Sequence, residues 1–86
     1  MKHLVLDCGF ELDVDERTFD DMELFDLIAE MDAGNALALS RVTAKILGDK
    51  KPALYDHLRD DAGHVPVEAV TAAVIEIFQK GASKNS

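Results

Sequence analysis

Tryptophan is absent, cysteine occurs once, proline twice, and aromatic residues make up 6% of the 86 positions. A single thiol, Cys8, cannot close an internal disulfide, so a small fold stapled by bridges is excluded. No basic, then apolar, then small-residue leader is present, and together with the lone cysteine this sets the expectation of a reducing cytoplasm. No run approaches the ~18 apolar residues of a membrane span. Bases are scarce as well, 9 against 17 acids, for a net charge of −8 with histidines neutral. This charge argues against long-range attraction to nucleic acid or anionic lipid and leaves basic partners open. The five glycines each fall at a turn or helix end and none cluster, which leaves no loop to cradle phosphate.

What is present is a chain 48% hydrophobic, enough for one small α-rich domain over residues 1–80. A domain this short hides only about 60% of its unfolded surface, so its core is thin and oligomerisation would help it. The acidity belongs to the first third: residues 1–34 hold 11 acids and 2 bases, residues 35–86 hold 6 acids and 7 bases. Such a split lets one copy attract the back of another, in a contact that salt would weaken.

His3 to Leu6 and Phe10 to Val14 read as strands, the second alternating apolar and polar, joined by the turn Asp7-Cys8-Gly9. Gly9 supplies the positive φ of a tight hairpin, and Asp7 can bond its own backbone there. A lone hairpin is marginal in water and must lie on helices or on another subunit. A first helix over Asp21 to Met31 follows, with Asp20 as its cap, Glu23 as the reciprocal partner and Phe19 stapled onto Leu24. Gly34 ends it.

A second helix runs from about Asn35 to Leu47, with Leu39, Val42 and Ile46 on one face and Gly48 as its stop; Ser40 could instead begin a fresh helix. Asp49 can cap a third, short helix through Arg59, since Pro52 is tolerated in a first turn, with Leu54 and Leu58 facing inward. After the polar turn Asp60 to His64, Pro66 takes the first position of a last helix whose buried stripe is Val67, Val70, Val74, Ile77 and Phe78. Gly81 closes that helix, and residues 81–86 read as a disordered tail. The fold class is thus mainly α, an N-terminal β-hairpin followed by about four short helices in a small bundle.

None of the usual chemical constellations is complete. Counted as a calcium loop from Asp13, the acids fail, since Thr18 stands where the turn glycine belongs and Leu24 where a bidentate Glu belongs. Cys8, His3, His57 and His64 lack paired metal-ligand spacing, and Asp7 beside Cys8 disfavours a thiolate. Leu39-Ser40-Arg41 lacks the flanks of a phosphopantetheine-bearing serine motif. The chain reads as a non-enzyme, without catalytic residue, metal or cofactor. The surplus of large apolar residues on the first helix points instead to a partner surface carried by Met22, Phe25, Leu27 and Met31.

Taken together, Asp20-Asp21-Met22-Glu23-Leu24-Phe25-Asp26-Leu27, then Leu37-Ala38-Leu39 with Leu47-Gly48, Tyr55-Asp56-His57-Leu58-Arg59, Gly63-His64-Val65-Pro66-Val67-Glu68, Ile77-Phe78 and the terminal Lys84-Asn85-Ser86 resemble the small tail assembly chaperones of long-tailed bacteriophages. The likeness is to the short form found in phages and prophages of Gram-positive bacteria, and it covers nearly the whole chain. The resemblance implies a protein of the bacterial host cytoplasm that coats the long, helical, aggregation-prone tape measure protein and is absent from the finished virion. It also implies a longer frameshifted form of the same protein, diverging near Ala82 to Ser86, as a further partner. The rival reading is a small acidic adaptor or antitoxin-like protein that masks a basic partner.

Overall fold

The computed structural model describes residues 1–82. Among them lie a two-stranded antiparallel sheet and four α-helices. Strands β1 (Lys2–Val5) and β2 (Glu11–Val14) pair with Leu4 opposite Leu12. The period-2 alternation puts Leu4, Leu6, Leu12 and Val14 on one buried face and His3, Glu11 and Asp13 in solvent. The turn closes through Leu6 N–H to the Phe10 carbonyl and Gly9 N–H to the Leu6 carbonyl, both 2.9 Å, with Gly9 at φ +93°. The first strand lies one residue earlier than the sequence suggests and the second is one residue shorter, and Asp7 enters through its backbone. Its N–H donates to both Glu76 carboxylate oxygens at 3.0 Å.

The first helix starts later than its capping-box pattern predicts. Asp15 caps a 3-10 turn, Glu16–Phe19, whose Arg17 carbonyl accepts the Asp20 N–H that the box would have assigned to Glu23. The cap is therefore Asp21, whose side chain accepts from Glu23 N–H at 3.0 Å, and helix α1 spans Met22–Asp32. Asn35 caps α2 (Ala36–Leu47) in the same way, and Ser40 lies inside it rather than starting a new helix. The α1–α2 contact is the most extensive in the fold.

Asp49 caps nothing: a 3-10 turn, Gly48–Lys50, leads straight into α3 (Lys51–Leu58), which has Pro52 in its first turn and no side-chain cap. In the polar turn that follows, Asp60 Oδ1 accepts from Ala62 and His64 N–H. Pro66 flanks the last helix instead of opening it, so α4 runs Val67–Gly81. Its stripe is correct for Val70, Val74 and Ile77, but Val67 at the first turn is 63% exposed, on the rim of an open recess shared with Ala36, Ser40 and Tyr55.

The core joins the hairpin's apolar face to Phe19, Leu24, Val42, Leu54, Val74 and Ile77. Thr43, fully buried, donates its hydroxyl to the Leu39 carbonyl at 2.7 Å. Helix α4 runs one residue past the expected domain end, and Gly81 is buried. Of the expected tail, residues 83–86 lie outside the described residues.

Both edges of the ribbon are covered by ammonium groups. Lys80 Nζ donates to the Val5 carbonyl at 3.0 Å, and Lys50 Nζ donates to the Asp13 carbonyl. Lys80 also pairs with Glu76 at 2.6 Å, while His57 Nε2 donates to the Cys8 carbonyl at 2.8 Å from α3.

Two predictions follow from these contacts. A Cβ at Gly81 would stand 2.4 Å from Cζ of Phe19, a ring only 4% exposed that packs edge-on against Phe78. Gly81→Ala should therefore destabilise by about 1–3 kcal/mol, although alanine is the better helix former. A denaturant midpoint above that of the parent would show that the ring yields freely.

The second concerns pH. The Lys80 hydrogen bond, with help from the Asp7 N–H, holds the Glu76 carboxyl below its ordinary range; Lys45 does the same to Asp21, and Arg17 to Asp15. These groups stabilise the fold above the unfolded carboxylate pKa and lose that contribution as pH falls through their folded values. His3, bonded to Asp13 at 2.8 Å and Glu11 at 2.9 Å, is shifted upward, so its contribution is full below the unfolded imidazole value and is lost as pH rises through the folded one. Maximal stability should fall at roughly pH 5–6.5. Urea midpoints measured across pH should show Glu76→Gln flattening the acid limb and His3→Gln the alkaline limb.

Candidate functional site

Helices α1 and α4 flank an open groove of about 460 Å³. Phe25, Ile28 and Met31 line it from α1, and Val74, Ile75 and Phe78 from α4. On α1, Phe25 and Ile28 share a face at i, i+3; on α4, Val74 and Phe78 do so at i, i+4. Val74 is 1% exposed and forms the floor, whereas Phe25 and Ile75 at the rims are 43% and 42% exposed. The Phe25 ring stands edge-on to Phe78, centroids 5.4 Å apart and planes at 89°, a favoured aromatic geometry.

Of the four partner residues read from the sequence, the structure brings Phe25 and Met31 to this groove. Leu27 faces a separate polar recess toward α2, with Glu23, Asp26, Arg41 and Lys45. Met22, 70% exposed at the start of α1, lines neither. Sequence reading missed Ile75, which was detectable as the one large apolar residue of α4 standing off its buried stripe. Ile75 also borders a second recess of about 560 Å³, which reaches Asp7, Cys8 and Leu58. It is therefore a ridge between two depressions.

The structure brings His57 to Cys8, but to its backbone carbonyl and not its thiol, while His3 is engaged with two carboxylates and Cys8 is an exposed free thiol. Among the described residues no group of three or more His, Cys, Asp or Glu is placed to hold a metal ion. Ser40 Oγ accepts from Lys51 Nζ at 3.2 Å. No helix among them is long and apolar enough to cross a membrane.

Most bases are engaged inside the molecule, and one ion pair, Lys45–Asp21, joins the two parts of the charge split. Lys45 pairs with Asp21 at 3.1 Å, Arg59 with Asp56 at 3.0 Å and Arg17 with Asp15 at 2.9 Å. Lys2 donates to the Lys80 carbonyl, and Lys51 lies 5.5 Å from the Tyr55 ring centroid. Among the described bases only Arg41 has no side-chain hydrogen bond, ion pair or ring contact. On α1 the carboxylates of Glu23, Asp26, Glu30 and Asp32 have no partner among the described residues.

Comparison of the chain with protein-family models, with curated proteins and with solved structures gives no match.

Phe25 provides the direct test of surface against core. With over two-fifths of the residue in water, Phe25→Ala should cost roughly 1–2 kcal/mol and leave the helical signal intact. Leu24→Ala, at a position with no exposure, should cost about 2–5 kcal/mol. Circular dichroism with urea titration of both variants checks this. An unfolded Phe25→Ala protein would place the ring in the core.

Proposed function

We propose that this chain is a non-catalytic tail assembly chaperone of a long-tailed bacteriophage, acting in the bacterial host cytoplasm to hold the tape measure protein soluble while the tail assembles. The reading is carried by the resemblance that spans nearly the whole sequence. The apolar groove between α1 and α4 supports it, because a carrier of long amphipathic helices needs exposed apolar surface that is set and not collapsed. The excess of acid keeps such a surface soluble. A small adaptor masking a basic partner is the second reading, favoured by the unpaired carboxylates of α1.

Self-association and pairing with a longer frameshifted form belong to the same proposal. Since seven of the described bases are already engaged within one chain, opposite charge is a poor driver for it. The exposed Leu37 and Val67, 80% and 63% in solvent, offer an apolar alternative that salt should not weaken.

Co-expression with a long helical tape measure protein of a long-tailed phage, followed by pull-down from the soluble fraction, tests the chaperone reading. The expected result is a soluble complex and recovery of a partner that precipitates when expressed alone. Capture of a small basic toxin from the same operon, with no effect on the long helical protein, would establish the adaptor.

A further inference from the structure

We infer that the α1–α4 groove takes one helix of a partner protein, apolar along one side and carrying Lys or Arg beside that apolar face. This deepens the chaperone reading and rests on it for the partner being a separate chain; the chemistry of the occupant comes from the groove itself. Phe25 and Ile75 stand as half-exposed rims over the Val74 floor, and the Phe25–Phe78 edge contact fixes the wall. A depression walled by two helices suits the ridge of a third. Strand addition is not the mode, because lysines cover both edges of the hairpin.

Charge selects among helices. Asp32 is the one ionisable side chain that lines the groove, and it has no partner among the described residues. It ends α1, where the helix dipole is negative and no base offsets it. The chain as a whole carries −8. A second copy would bring another −8 with Arg41 as its sole unengaged described base, so it is the wrong occupant. Residues Ser83 to Ser86 hold no apolar side chain and cannot fill the space. An apolar helix flanked by cations satisfies both the floor and Asp32.

The probe is a labelled peptide of about 18 residues, five helical turns, with leucines at i, i+3, i+4 and i+7 and lysines elsewhere. A second peptide replaces every lysine by glutamate. Fluorescence anisotropy with the full chain should show saturable one-to-one binding of the lysine peptide, roughly tenfold or more tighter than the glutamate peptide. Ile75→Glu, checked for parental helicity, should abolish it. Asp32→Lys should weaken the lysine peptide and strengthen the other, while Asp61→Lys in the turn before α4 should leave both unchanged.

Equal binding of the two peptides, or binding indifferent to Ile75→Glu, overturns the inference. So does an Asp61→Lys effect as large as that of Asp32→Lys, which would make the attraction general, or a dimer that Ile75→Glu dissolves. Peptide binding as stated, without capture of the long helical protein, would instead count against the chaperone reading and leave the groove's chemistry standing. Capture that survives Ile75→Glu would do the opposite.

Discussion

A glutamate and a lysine one turn apart on α4 hold the hairpin to the rest of the molecule. A two-stranded ribbon is marginal by itself, and its outward backbone groups need partners as much as its apolar face needs cover. Glu76, its side chain 15% exposed, accepts the Asp7 N–H with both oxygens, while Lys80 bridges from Glu76 to the Val5 carbonyl. Because Glu76 sits between Val74 and Ile77, this polar clamp sets the hairpin at the height where Leu4, Leu6, Leu12 and Val14 meet the helical core. The carboxylate is nearly satisfied by these three bonds, so its partial burial is offset in place. His57 from α3 and Lys50 from the linker hold the turn and the opposite edge, leaving the ribbon no freedom to slip.

The same arrangement explains where the charge goes. The first third of the sequence is acidic and the rest mildly basic, a pattern that suggests one copy seeking another. In the folded chain Lys45 reaches Asp21 across the α1–α2 pair, and Lys50 reaches the β2 edge at Asp13. Two bases of the later segments thus meet the acidic first third within one molecule, whereas Arg59 and Lys80 pair with Asp56 and Glu76 of their own segments. What remains is a set of α1 carboxylates without an ion pair among the described residues, of which Glu23 and Asp26 share a recess with Arg41 and Lys45.

Most of the fold was legible because its signals are local: the period-2 face of the hairpin, the i, i+4 stripes of α2 and α4, and glycines at the turns. The errors cluster where two local signals compete. Asp20 and Asp21 are both good caps, and the choice fell to Asp21 because Asp15 had already wound a 3-10 turn that takes the Asp20 N–H. Asp49 reads as a cap until the chain passes from Gly48 into a 3-10 turn and enters α3 with no break to cap. Gly81 looks like a terminator but is required by the Phe19 ring above it, a contact between residues 62 apart that no local pattern encodes. For the candidate site, Phe25 and Met31 were readable as surplus apolar positions on α1. The opposing wall was not, since Ile75 gains meaning only when α4 lies beside α1.

The groove stays open for a reason built into these attachments. Helix α1 is fixed by α2, through their extensive contact and the Lys45–Asp21 pair, and not by α4. At the groove it meets α4 through an aromatic edge, Phe25 on Phe78, in a favoured perpendicular geometry. The hairpin, the other element that could close over Ile75, is locked by Glu76 and Lys80 on the far side of the ridge. No described element is left to cover it. Among the described elements, closing the gap would require moving α1 off α2 or releasing the hairpin clamp, both of which stabilise the fold. The exposed apolar surface is therefore a fixed consequence of how the rest of the molecule is held, which is the condition under which a surface can serve a partner without rearranging to meet it.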